Sequence, residues 1–94
     1  MIKKPHQLYK ELVTVRSLRE LEAILSRLDG GFSVWRFVEV VGDGYGYEVW
    51  YRARKVFVIM VRKGRCSIYR VYGNTDYFHE LYGVKINEFP IGGG

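Results

Sequence analysis

Ninety-four residues, 48% of them hydrophobic and 27% charged, support one compact domain and exclude a generally disordered chain. The formal charge of +5 predicts attraction to polyanions. No apolar run approaches the roughly 18–20 residues of a membrane span. The lysines of MIKKPHQLYK have no apolar stretch behind them, so no secretory leader is expected. The expected location is the cytoplasm, nucleoid association included.

In chain order, Pro5 suits a first helical position, and Leu8, Tyr9 and Leu12 fall on one side of the turns that follow. The β-branched run Val13-Thr14-Val15 weakens that helix. Ser17 opens a second one with the capping box SLRE, in which Ser17 caps Glu20 and Glu20 reaches back. Leu18, Leu21, Ile24, Leu25 and Leu28 then share one face, which predicts core packing. Asp29-Gly30-Gly31 is expected to end the helix with a left-handed glycine.

After Gly31 the period changes to that of strands. FSVWRFVEVV is the first, GDG at 42–44 predicts a tight hairpin with positive φ at both central positions, and YGYEVWYRAR is the return strand. KVFVIMVR is apolar on both faces and predicts a central strand. KGR turns the chain into CSIYRVY. Residues 74–76 offer caps for a short helix YFHELY followed by Gly83, VKINEF suits a last strand, and PIGGG a flexible tail. The expected domain spans 1–94, with a helical part at 1–31, an antiparallel sheet at 32–72, a short helix and strand at 73–89, and a tail at 90–94. The fold class is α+β, with the N-terminal helices on one face of a four-stranded sheet.

The other face of that sheet points to function. Side chains alternate along a strand, so a second face can be drawn through Trp35, Phe37, Trp50, Arg52, Arg54, Met60, Arg62 and Tyr69, with Lys63 and Arg65 extending its cationic margin. Residues 32–72 also hold eight of the fifteen cations against three of the ten anions. Bases stack on aromatic side chains while Arg and Lys track phosphates. Stacking needs unpaired bases, and no helix-turn-helix reader is evident. The expected activity is sequence-independent binding of single-stranded DNA, with RNA as a second candidate, by a protein that self-associates.

The helices followed by the aromatic, basic strands FSVWRFVEVV, YEVWYRARKVFVIMVRKGR and CSIYRVY resemble the ThermoDBP-related single-stranded DNA-binding proteins of hyperthermophilic archaea. The resemblance covers most of the chain and lies in element order and composition. It implies a basic cleft with an apolar, aromatic floor. Nine arginines against six lysines, with one glutamine, two asparagines and one cysteine, fit a thermophile.

Three other classes compete. The same aromatic face suits a protein-interaction or structural subunit, since interfaces favour aromatics and arginine. EFPIGGG is similar to the tail of ubiquitin-like modifiers and sulfur carriers, although two helices stand where that fold opens with a hairpin. An enzyme is not expected, because GDGYG sits between strands without a helix behind it and His79 has no partner set. Cys66 excludes an internal disulfide and a CxxC cluster, and His6 and His79 lack ligand spacing, so neither metal nor cofactor is expected.

Overall fold

The computed structural model describes residues 1–40, 42–72 and 83–92. Helix α1 spans Pro5–Leu12 and α2 spans Leu18–Leu25. The strands are β1 (Phe32–Val38), β2 (Tyr45–Tyr51), β3 (Arg54–Arg62), β4 (Arg65–Arg70) and β5 (Val84–Pro90). The expected helix at YFHELY lies outside the described residues.

Both helix starts follow from local hydrogen bonding. Gln7 Oε1 accepts from the backbone N–H groups of Lys3 at 2.8 Å and Lys4 at 3.0 Å, beside the Pro5 that needs no partner. Ser17 Oγ accepts from the Glu20 N–H at 3.1 Å, as SLRE predicts. Glu20 Oε1 reaches past Ser17 to the N–H of Arg16 at 3.0 Å. Contrary to expectation, α2 stops at Leu25, with Ser26 as its C-cap, and neither Gly30 nor Gly31 is left-handed. The N-terminus is the reason. The Ile2 N–H donates to the Arg27 carbonyl and the Asp29 N–H to the Ile2 carbonyl, each at 2.9 Å, so residues 27–29 are drawn into a bridge.

The five strands form one antiparallel meander in the order β1-β2-β3-β4-β5. The last strand thus joins the sheet beside β4 and makes it five-stranded. β3 is central and buried from Val56 to Val61, as its unbroken apolar run predicts. On the helix side, Leu8, Leu12, Leu21 and Ile24 form one core with Val49, Phe57, Ile59, Cys66, Ile68 and Phe89. Each such side chain, fully buried, contributes about 1.5–3 kcal/mol. Burial pushes the Cys66 thiol up to about 12.

The turns depart most from the sequence reading. Arg52 (φ 50°) and Ala53 (φ 66°) form a two-residue turn between β2 and β3, so YGYEVWYRAR is a strand plus a turn. Lys63 (φ 53°) and Gly64 (φ 74°) do the same between β3 and β4. The β1–β2 connection is wider than the expected Asp-Gly turn. It closes with the Glu39 N–H on the Gly44 carbonyl at 2.9 Å, and Gly42 in it is left-handed. At the other end, Pro90 pairs with Arg65 and the Ile91 N–H donates to the Gly64 carbonyl at 2.8 Å. The start of the expected tail is therefore part of the sheet.

Candidate nucleic-acid interface

Residues opposite one another in an antiparallel ladder share a face. The register builds the face turned away from α1 and α2, helix-free among the described residues, as rows. Trp35, Glu48, Val58, Tyr69 and Lys85 cross all five strands, and Phe37, Gly46, Met60, Ser67 and Glu88 form a second row. Ser33, Trp50 and Lys55 form a third toward one end, and Arg62 and Arg65 a fourth at the other. Gly46 is the low point. A Cβ there would run into Phe37 and the Ile59 carbonyl, so the Phe37 ring can lie over the strand.

The expected face is thus assembled in its aromatic part. Trp35 stands 64% exposed on β1, whereas Phe37, Trp50 and Tyr69 are half-buried around it. Met60 is only 2% exposed and packs with Val58 and Val71. It is floor, not a contact residue, because β3 is covered on this side by Phe37 and Tyr69. An open groove of about 330 Å³ is lined by Ser33, Trp35, Glu48, Trp50 and Ala53.

The cationic part is arranged differently from the expected row. Arg52 does not alternate with Trp50; it occupies the turn, with its guanidinium 5.2 Å from the Tyr51 ring centroid. A register shift at Val49/Trp50 places Lys55 opposite Trp50 and sets Arg54 opposite Tyr51. Arg54 is exposed at the start of β3, in the Tyr51 row on the helix side of the sheet, so Lys55 takes its place on this face. Arg62, Lys63 and Arg65 gather at the opposite end of the sheet, about 26 Å away along β3 at the usual strand rise. Of the ten expected residues, Trp35, Phe37, Trp50 and Tyr69 form the aromatic centre, Met60 its floor, and Arg62, Lys63 and Arg65 one cationic end; Arg52 and Arg54 leave the face, and Lys55 supplies the cation at the other end.

Three glutamates also occupy this face: alternation sets Glu48 with Trp50 and Glu39 with Trp35 and Phe37, and the register adds Glu88. Glu48 Oε1 accepts from Trp50 Nε1 at 3.1 Å, and its Oε2 pairs with Lys55 Nζ at 3.3 Å. Lys55 lies 5.8 Å from the Trp50 ring centroid, so Trp50 is fixed by its strand and by this pair. Glu39 pairs with Arg62 at 3.1 Å. Glu88 takes Arg65 at 3.0 Å and Lys85 at 3.3 Å, and Ser67 Oγ donates to it at 3.2 Å. The hydrogen bond from Arg65, then that from Lys85, holds the Glu88 carboxyl below its ordinary range. Lys85 also lies 5.9 Å from the Tyr69 ring. Reading Arg52-Ala53 as a turn would have placed Lys55 beside Trp50; alternation already sets Glu48 with Trp50 and Ser33 with Trp35, while Ala53 and Lys85 needed the turn and the register.

Among the described residues, no three His, Cys, Asp or Glu side chains gather as metal ligands would. Nor is any helix among them long and apolar enough to cross a membrane. Comparison with family models, with curated proteins and with solved structures finds no match to this chain.

Proposed function

We propose that the helix-free face binds single-stranded nucleic acid, DNA in the first place, without reading its sequence. The observation that carries this is Trp35, which stands exposed on β1 and with Trp50 lines an open groove that also holds Ala53, Ser33 and Glu48. An exposed indole next to a second, fixed one offers flat surfaces on which any base can stack, at about 1–3 kcal/mol per base. A duplex hides those base faces. The cations at the two ends of the sheet would meet phosphates of a strand laid across the groove. Glu39, Glu48 and Glu88 already neutralise part of that charge. Stacking therefore carries more of the affinity than in a purely basic cleft. The resemblance to the archaeal single-stranded DNA-binding proteins points the same way through element order and composition.

Fluorescence anisotropy with labelled oligo-dT and a matched duplex tests the proposal. Oligo-dT should bind more tightly, with affinity falling as salt rises by about 0.7 log units per tenfold salt for each phosphate contacted. Equal binding to both, or none at low salt, would overturn it.

A further inference from the structure

We propose that β1 is a self-pairing edge: it joins β1 of a second copy, antiparallel, about a two-fold axis at Trp35. The backbone supplies the first argument. The Glu39 N–H donates to the Gly44 carbonyl and the Arg52 N–H to the Gly31 carbonyl. Opposed residues in an antiparallel ladder alternate between hydrogen-bonded and non-bonded rows. In the observed register, residues 31, 33, 35, 37 and 39 therefore turn their N–H and C=O groups toward β2. Phe32, Val34, Arg36 and Val38 turn theirs outward, to the side of β1 where no described strand lies.

The side chains supply the second argument. A free edge is normally blunted by lysine, proline or a bulge. β1 has no Lys and no Pro, and its pairing with β2 runs without a register shift from Phe32 to Val38. Val34, Trp35 and Val38 are among the exposed large apolar residues. These are the marks of an edge left open to another strand.

Symmetry and charge then select the register. A two-fold axis that pairs antiparallel edges stands perpendicular to the sheet and sets each residue i opposite 2c − i of the other copy. With the axis at Trp35, the midpoint of β1, the whole strand overlaps. All four outward-facing residues then find partners: Phe32 with Val38 of the second copy, and Val34 with Arg36. Moving the axis to Arg36 would oppose two guanidiniums and shorten the overlap. In the Trp35 register each arginine lies opposite a valine. The two helix-free faces become one continuous surface, with the two Trp35 side chains adjacent in a non-bonded row, where side chains approach most closely. Self-pairing at this edge stands independently of what the face binds.

The test uses the Val34–Arg36 row, because Val34 is exposed in the single chain and tolerates a polar replacement there. Sedimentation equilibrium should show the full chain as a dimer. Val34→Lys opposes Lys to Arg36 twice and should weaken the dimer, whereas Val34→Glu opposes unlike charges twice and should hold it. The two dissociation constants should differ about fourfold or more, since pair effects of ~0.2–1 kcal/mol of opposite sign act twice in each variant. Trp35→Cys should also cross-link to a covalent dimer under mild oxidation, since opposed Cα atoms in that row lie within disulfide reach. The buried Cys66 stays out of the reaction. A wild-type chain that sediments as a monomer at 100-micromolar order would overturn the proposal. So would a dimer that responds alike to Lys and Glu at position 34.

Discussion

The two edges of the sheet are built on opposite plans. β5 carries Lys85, Pro90 and a register shift against β4 at Ile68/Tyr69, and it is tied down from both sides. Phe89 is buried in the helix-side core, and Asn87 Nδ2 donates to the carbonyls of Leu12 and Val15, each at 2.8 Å. β1 has none of these devices, and most of its residues are exposed. Edge strands are liabilities unless blunted or used. The difference therefore separates a structural edge, which locks the last strand onto the helices, from a working edge, which presents Trp35 and backbone groups that no other described strand pairs.

Substitutions should sharpen that contrast, and the largest effect belongs to β5. Phe89→Ala should cost about 3–5 kcal/mol in denaturant unfolding, because a large ring leaves a cavity between sheet and helices. Trp35→Ala should do the reverse. In the Val34→Lys background, which closes the edge to a second copy, its unfolding free energy should change by less than about 0.5 kcal/mol. Its affinity for oligo-dT should nevertheless drop by about 1–3 kcal/mol in anisotropy titrations. If Trp35→Ala destabilised the fold as Phe89→Ala does, the working-edge account of β1 would fail.

Smaller effects probe the glutamates. Glu48→Gln keeps an acceptor for Trp50 Nε1 but removes a charge from the groove, so oligo-dT should bind somewhat more tightly, by less than about 1 kcal/mol. A weaker complex would mean that Glu48 contacts the bound strand directly. Glu88 provides the smallest test. Its folded carboxyl titrates below its unfolded value, so it stabilises the fold above the ordinary carboxylate range and loses that contribution as pH falls through the depressed folded value. Replacing it by Gln should flatten the acid side of the stability–pH profile, and an unchanged profile would show that the Arg65 and Lys85 pairs are thermodynamically silent.

Much of this architecture was legible in the residues, for physical reasons that also explain the gaps. Ser17 and the leucine stripe behind it define α2 because capping and period act locally. The run Val56–Val61 reads as a central strand because only a strand covered on both faces buries every residue. The aromatic half of the helix-free face follows from simple alternation through Trp35, Phe37, Trp50 and Tyr69. The cationic half did not, because Arg52 and Ala53 make a left-handed turn without the Gly, Asn or Asp that usually signals one. That turn and the shift at Trp50 exchange Arg54 for Lys55. The early end of α2 depends on Ile2 meeting Arg27 and Asp29, a contact that no local pattern encodes. The glutamate pairs across strands depend on register in the same way.

Both tryptophans of the chain, Trp35 and Trp50, line the same groove, so emission excited selectively at tryptophan, beyond the absorption of the eight tyrosines, reports on that face. Titrating oligo-dT into the protein at low salt tests most directly whether the groove receives bases. The account predicts a saturable quench as bases stack on the indoles, reversed by added salt and much smaller with a matched duplex. Binding by anisotropy with no change in tryptophan emission would place the nucleic acid elsewhere on the molecule and contradict the account.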